Sequence, residues 1–252
     1  MKKALMITLI GAGAVTVAAT VMIAGFSGLP AKKRAVTQYG EALNFVPKEY
    51  PYANLEVPAE YVPCKQQGIS LMMPAELMQL DSDPDSFRSG VYMNVDKSVL
   101  VMFEQPYEFG EMDLATIDEQ ASAEAMDRFC RSLGREPIKT WYDFFDMIYH
   151  LNPDDCNIHS MTQAAVFEAL SYTKSEVLPV CNELWDWENA DGDKGFIMRM
   201  DQASGDEADS SRYSIQAELY DPDTGNTSYA VMIKAQDSET CFRIANSIRL
   251  DK

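Results

Sequence analysis

The sequence predicts an α+β fold, a mostly antiparallel sheet with helices packed on it, preceded by one N-terminal transmembrane helix. Apolar residues alternate with a period of two before and after a central helical block, and a further helix closes the chain. Short turn sequences separate neighbouring strands, which is typical of antiparallel pairing. An uncharged run of 26 residues, Ala4 to Leu29, precedes all of these elements.

The run from Ala4 to Leu29 is predicted to be a single-pass membrane anchor. As a helix it reaches about 39 Å, which exceeds a hydrocarbon core of about 30 Å. A secretory signal has an apolar region of only about 7–15 residues, so the length favours a retained anchor. The alternative is a cleaved signal, for which the small residues Val17 to Ala19 offer a site.

The basic residues beside the anchor leave its direction nearly balanced. Lys2 and Lys3 lie before the run, and Lys32 to Arg34 lie after it, so the positive-inside rule is close to tied. A Met-Lys-Lys start followed at once by an apolar helix resembles an export signal. We therefore expect an extracytoplasmic domain at the cell membrane, with a cytoplasmic domain as the alternative.

The acidic charge lies entirely after the anchor segment. Residues 1–34 contain five Lys or Arg and no acid, whereas residues 35–252 contain 16 basic and 39 acidic side chains, a net charge of −23. Such a domain repels nucleic-acid phosphates, which excludes nucleic acid as a partner. The charge is interpreted as a solubility feature rather than as an acidic docking face.

These observations divide the chain into three predicted segments. Residues 1–34 form the anchor with its basic flanks, and residues 35–60 form a connector rich in Pro and Tyr. Its prolines at 47, 51 and 58 are expected to hold the connector extended rather than helical. Residues 61–252 form the acidic α+β domain, with a helical insertion at about 140–179.

The first strands of the domain follow from their apolar patterns. In 68–74 and in 91–95 every second residue is apolar, so each strand has one buried face. The segment Val99 to Phe103 is apolar throughout, which is typical of a central strand covered on both faces.

Three helices are predicted in the middle of the chain. Thr116 to Glu119 fits a capping box, and the helix that follows it is expected to end at Gly134. The second helix begins at Thr140 and carries apolar residues to Leu151. The third runs from Ser160 towards Leu178, where a proline follows.

The last third of the chain returns to strands. Alternating patterns predict strands at 183–188, 196–200, 213–219 and 229–233, and a closing helix spans Ser238 to Ser247. Trp185 and Trp187 share one face of the first of these strands. We expect both to pack under a helix; the alternative is an open aromatic platform for a ligand.

Two segments carry a resemblance to a known family. Gly68 to Pro74 resembles the early strand of Mog1/PsbP-like domains, where a Gly-apolar-Ser-apolar strand ends in Pro. Phe242 to Leu250 is similar to the closing helix of that family and its Ser-Ile-x-Leu end. The resemblance implies an α/β/α sandwich and a non-catalytic binding or assembly role, and it implies no site residues.

The five cysteines do not suggest a disulfide framework, because their number is odd and none forms a CxxC pair. Cys130 and Cys241 fall on the apolar stripes of predicted helices, where a free thiol acts as a small hydrophobe. We expect reduced, mostly buried thiols at the five positions, Cys64, Cys130, Cys156, Cys181 and Cys241.

One combination of residues could in principle bind zinc. His150, Cys156 and His159 offer nitrogen and sulfur ligands, with Asp154 and Asp155 beside them. A proline breaks the helix between His150 and Cys156, and no second ligand pair supports the site. We interpret the placement as chance and predict no metal.

Two acidic turns resemble calcium loops only in part. With Gly192 at the sixth position of such a loop, Trp187 and Met198 occupy the positions of the first and last acidic ligands. Asn189–Asp193 is therefore predicted to be a hairpin turn. Asp221–Gly225 is also a turn, with a weak surface cation site as the alternative.

No catalytic, cofactor-binding or metal-binding residue is predicted, and no cofactor. The sequence contains neither a nucleophile elbow nor a phosphate-binding glycine loop outside the apolar run. The predicted function is a membrane-anchored, non-enzymatic binding module or assembly module, which contacts the membrane through residues 4–29 and takes a protein partner or a small ligand. The alternative is a membrane-tethered or exported enzyme of the hydrolase class whose site cannot be read from sequence.

Overall fold

The computed structural model describes residues 29–80, 88–109, 123–154, 160–178, 181–189, 191–200 and 213–251. The predicted anchor lies outside these ranges except for Leu29, and so does the predicted capping box Thr116–Glu119. Within the described ranges, no helix is both long enough and apolar enough to cross a bilayer.

The described helices and strands confirm the α+β class with antiparallel sheets. The helices are α1 Leu29–Leu43, α2 Ala123–Ser132, α3 Trp141–Tyr149, α4 Met161–Val177 and α5 Ser238–Asn246. The strands are β1 Val62–Gln66, β2 Ile69–Met73, β3 Met78–Leu80, β4 Arg88–Met93, β5 Val99–Glu104, β6 Tyr107–Glu108, β7 Cys181–Glu188, β8 Lys194–Met200, β9 Tyr213–Tyr220, β10 Thr227–Ala235 and β11 Arg249–Leu250.

The chain divides into two compact units. The helical unit consists of residues 1–44, 113–138 and 151–177, and the sheet unit consists of residues 45–112, 139–150 and 178–252. Helices α3 and α4, which were expected to form one insertion at about 140–179, belong to different units. All the described strands belong to the sheet unit.

In the helical unit, α1 packs along α4. Arg34 lies 3.6 Å from the Glu168 carboxylate, and the Tyr39 ring contacts the Tyr172 ring edge-on at 6.2 Å. The prediction of an extended connector from residue 35 onward is therefore wrong for residues 35–43. The three prolines that favoured extended backbone all lie after α1, where the helix has already ended.

Helix α2 ends as its sequence predicts. Gly134 adopts a φ of +71°, and the Arg135 N–H donates to the Cys130 carbonyl at 3.0 Å. A left-handed glycine just after the last turn satisfies carbonyls that would otherwise lack a donor. On α2 the buried side chains include Phe129 and Cys130, as the apolar stripe predicts.

Helix α4 buries a lysine completely. The Lys174 ammonium donates to the Leu151 carbonyl at 2.9 Å, and burial lowers the pKa of this side chain to about 8. Burial disfavours the charged ammonium form of Lys174, and the hydrogen bond to the Leu151 carbonyl offsets this effect only in part.

The sheet unit contains two antiparallel sheets. The larger has the order β3-β4-β5-β10-β9-β8-β7, with β6 paired to β10, and the smaller has the order β1-β2-β11. The predicted central strand is confirmed, because β5 pairs with β4 on one side and with β10 on the other. The alternating pattern of β2 is also confirmed, since Ile69, Leu71 and Met73 are buried.

Helix α5 packs on the face of the large sheet that carries the alternating apolar residues. Trp185 is 2% exposed and meets the Phe242 ring of α5 edge-on at 5.5 Å, so the expectation of packing under a helix is confirmed for Trp185. Trp187 is buried in the same core. The buried residues of this core include Val101, Phe103, Trp187, Ile215, Leu219, Val231, Ile233, Cys241, Phe242 and Ile244.

The described cysteines are free thiols. Cys64, Cys130 and Cys241 are buried and Cys181 is half-buried, whereas Cys156 lies outside the described residues. The expectation of reduced, mostly buried thiols is confirmed for the four described positions. Burial raises the pKa of Cys181 and Cys241 to about 12, so these thiols stay protonated at neutral pH.

Gly195 provides a test of the strand packing in the large sheet. A Cβ at this position would overlap the Glu218 carbonyl oxygen and lie 2.8 Å from the Glu218 carbonyl carbon. Because backbone atoms of β9 cannot yield as a side chain can, we predict that Gly195→Ala lowers the free energy of unfolding by about 3 kcal/mol. Urea unfolding followed by tryptophan fluorescence measures it, since all three tryptophans lie in the sheet unit.

Gly40→Ala is the matched control. Nothing lies within 4 Å of a Cβ at Gly40, in the last turn of α1. Alanine favours a helix interior by about 0.5–1 kcal/mol over glycine, so this variant should be slightly more stable, as circular dichroism can measure. Equal effects of the two substitutions would contradict the packing described for β8 and β9.

Candidate functional site

An open cleft of about 320 Å³ lies in the sheet unit where three segments meet. The segments are the first turn of α3, the turn between β7 and β8, and the turn between β9 and β10. We call it the tyrosine cleft, and its lining includes Tyr142, Asp143, Lys194, Tyr220, Asp221 and Asp223.

The first turn of α3 is fixed by a capping box. The Thr140 hydroxyl accepts from the Asp143 N–H at 3.1 Å, and the Asp143 carboxylate accepts from the Thr140 N–H at 3.0 Å. Thr140 is the predicted start of this helix, which ends at Tyr149 rather than at Leu151. The cap therefore determines where Tyr142 lies.

The turn between β9 and β10 is built around one carboxylate. Asp221 Oδ1 accepts from the backbone N–H groups of Asp223 and Thr224 at 2.9 and 2.8 Å. The Tyr142 N–H donates to the Gly225 carbonyl at 3.0 Å, which joins this turn to α3. The predicted turn is confirmed, and Asp221 Oδ1 is engaged by the turn itself.

The turn between β7 and β8 is likewise built around one side chain, that of Asn189. Asn189 Oδ1 accepts from the N–H groups of Asp191 and Asp193 at 2.9 and 3.0 Å. Gly192 has a φ of +84°, a conformation that side chains rarely adopt. The prediction of a hairpin turn, rather than a calcium loop, is confirmed.

Aromatic rings form part of the cleft wall. The half-buried Tyr142 ring stacks on Phe196 with centroids 5.9 Å apart and lies 5.5 Å from the Tyr220 ring. Tyr220 is only 2% exposed, so Tyr142 is the ring with the larger accessible surface. A wall of packed rings holds its shape because each ring is fixed by its neighbour.

Negative charge surrounds Tyr142. Burial, followed by the nearby carboxylates of Asp146, Asp186, Glu188 and Asp143, raises the pKa of Tyr142 to about 12. Lys194 also lines the cleft, where its ammonium lies 3.8 Å from the Glu188 carboxylate.

His150 links α3 to β7 through two carboxylates. Its Nδ1 lies 2.9 Å from the Asp146 carbonyl oxygen and 3.1 Å from Asp146 Oδ1, and its Nε2 lies 3.0 Å from Asp186 Oδ2. Burial lowers the pKa of His150, but the hydrogen bonds with Asp146 and Asp186 outweigh it and raise the pKa to about 10. At neutral pH both ring nitrogens therefore carry protons and donate.

The structure brings together a different trio from the one considered for zinc. Asp146, His150 and Asp186 place one ligand-type atom each within 4.8 Å of the others, whereas Cys156 and His159 lie outside the described residues. A metal ion would have to displace one of the two ring protons, each of which is held by a carboxylate. We interpret the trio as an ion-paired clamp. Sequence reasoning missed it because Asp186 lies 36 residues from His150.

Glu218 lies on β9, two residues before the cleft residue Tyr220. The Tyr220 hydroxyl donates to Glu218 Oε1 at 2.9 Å. Burial raises the pKa of Glu218 to about 7; the bond from Tyr220 opposes this rise, and the Glu104 charge adds to it. The sequence offers no signal for this residue, which reads as an ordinary outward-facing position of an alternating strand.

Comparison with known proteins gives no family for this chain. No family model matches the sequence, and no curated protein matches it.

His150 gives a prediction on pH dependence. A histidine whose pKa is raised on folding stabilises the fold fully below its unfolded pKa of about 6.5, and this contribution is lost as the pH rises through about 10. We predict that His150→Asn lowers the free energy of unfolding at pH 6 by about 2–3 kcal/mol, allowing for partial exposure of the pair.

Urea unfolding at a series of pH values measures the effect. The wild-type chain should lose this part of its stability between pH 6.5 and 10, and the variant should show a flatter profile over the same range. Lys174 and Glu218 titrate over the same range in both proteins, so the difference between the two profiles reports His150. Parallel profiles for the two proteins would contradict the clamp.

Proposed function

We propose that the chain is a membrane-anchored, non-enzymatic binding or assembly module, held at the cell membrane through residues 4–29. Its acidic domain is assigned to the extracytoplasmic side. The finer fold proposed for it is a Mog1/PsbP-like α/β/α sandwich. The two segments that carry this resemblance are neighbours, since Leu250 of β11 pairs with Ile69 of β2.

The tyrosine cleft is the observation that supports a binding role. The packed rings of Tyr142 and Tyr220 form part of its wall, and two of its carboxylates hold the surrounding turns in place. Asp143 Oδ2 accepts from the N–H groups of Lys139 and Thr140, and Asp221 Oδ1 accepts from two N–H groups of its own turn. Carboxylates engaged in this way build a preorganised concave surface, as ligand sites require.

One edge of the large sheet supports an assembly role. At the β7 edge, the Lys48 N–H donates to the Leu184 carbonyl at 2.9 Å, so the connector covers that edge. Among the described strands, β3 pairs only with β4, and Met78 on it is 55% exposed. An apolar edge strand is a place where another chain can add a strand.

The test is a thermal-shift screen of the full-length chain in a maltoside detergent against a panel of small ligands. A binding module predicts at least one ligand that raises Tm in the wild type but not in Tyr142→Leu. Tyr172→Leu is the matched control, because Tyr172 is an exposed tyrosine of the helical unit. The same preparation should turn over no substrate in a broad hydrolase panel.

The Glu218–Tyr220 pair favours a second candidate, an enzyme of the hydrolase class. A carboxyl group with a pKa near 7, hydrogen-bonded to a tyrosine that lines the cleft, suits general acid–base catalysis. If the hydrolase panel gives turnover, this candidate predicts a rate that depends on a group of apparent pKa near 7 and falls at least about 100-fold in Glu218→Gln. Such a result would replace the binding proposal.

A further inference from the structure

We propose that the tyrosine cleft binds a small organic cation, an ammonium or guanidinium group. The group can belong to a free amine or to a Lys or Arg side chain of a peptide. The inference rests on the proposed binding function and names the ligand class for the same cleft.

The size and walls of the cleft suit such a group. Its volume of about 320 Å³ lies at the lower end of the range for small-molecule sites. The accessible Tyr142 ring and the rim of the buried Tyr220 ring supply aromatic surface. Aromatic rings attract cations through their quadrupole, and quaternary ammonium groups are recognised in this way.

The charge around the cleft favours a cation over an anion. The negative charge comes from Asp143, Asp221 and Asp223, which line the cleft. The other carboxylates near Tyr142 are the ion-pair partners of Lys194 and His150 and add little to it. The positive side chains at this place already have carboxylate partners, since Lys194 lies beside Glu188 and His150 lies between two aspartates. An anionic ligand would meet uncompensated negative charge, whereas a cation would be stabilised by it.

The donor atoms favour an organic cation over a bare metal ion. The close group of metal-ligand atoms found among the described residues is the His150 clamp, and it includes no residue that lines the cleft. Oxygens of Asp143 and Asp221 accept backbone N–H groups, so they cannot move freely into a coordination shell. Ring surface with carboxylates at its rim matches a weakly hydrated cation better than a hard one.

The experiment is calorimetric titration of the full-length chain in a maltoside detergent, with choline as the probe. The control ligand is 3,3-dimethylbutanol, which has the same shape without the charge. We expect choline to bind at least tenfold more tightly than this neutral isostere, and we expect choline binding to weaken as the NaCl concentration rises.

Variants locate the site. Tyr142→Leu should weaken choline binding at least tenfold, and Tyr142→Phe, which keeps the ring, should weaken it less than threefold. Asp223 lies on an exposed turn, so Asp223→Lys should leave the fold intact. Because it replaces a negative charge at the cleft by a positive one, it should also weaken choline binding at least threefold. Tyr172→Leu should leave choline binding unchanged.

A second arm uses N-acetyl-lysine methylamide in place of choline. Tighter binding of this compound identifies a peptide side chain as the source of the cation, and tighter binding of choline identifies a free amine. Equal binding of choline and its neutral isostere, or no binding of either cation, would overturn the inference. If a neutral or anionic compound from the thermal-shift screen still binds in a Tyr142-dependent way, the proposed binding function is kept and only the organic-cation ligand class is rejected.

Discussion

The packing of α5 against the large sheet is the contact on which the sheet unit depends. The Phe242 ring stacks on Tyr52 with centroids 3.6 Å apart, so the helix and the connector share one aromatic core. One helix turn later, Asn246 Nδ2 donates to the carbonyls of Tyr52 and Leu55 at 2.8 and 3.0 Å, and Asn246 Oδ1 accepts from the Tyr50 hydroxyl at 2.8 Å. A single half-buried amide thus fixes the path of the connector.

The end of α5 also fixes the candidate site. The Ser247 hydroxyl accepts from the Met72 N–H at 2.8 Å, which joins the helix to the small sheet. Just after it, the Ile248 carbonyl accepts from Asn189, and the Leu250 N–H donates to Asp193, both at 3.2 Å. The turn between β7 and β8, one wall of the tyrosine cleft, is therefore held by the last residues of the chain.

The sequence predicts the elements whose signal is local. The alternating patterns located β2, β9 and β10, and the continuous apolar run located β5. Thr140 and Gly134 marked helix ends, and the closing helix was placed within one residue of α5. Strands β3 and β11 are too short to show a period. Helix α1 was missed because its first residue falls in the apolar run and the prolines after it suggested extended backbone.

The cleft could not be predicted because its walls come from turns near residues 140, 190 and 225, which only the paired sheet brings together. The His150 clamp was missed for the same reason.

The central claim is that the docking of α5 holds both the connector and the wall of the cleft. Amide hydrogen exchange of the full-length chain, compared between wild type and Asn246→Ala, tests it most directly. We predict exchange at least about tenfold faster in residues 50–55 and in the turn 189–195, with no change in α1 and α4 of the helical unit. Faster exchange confined to residues 50–55, or a uniform increase in both units, would contradict it.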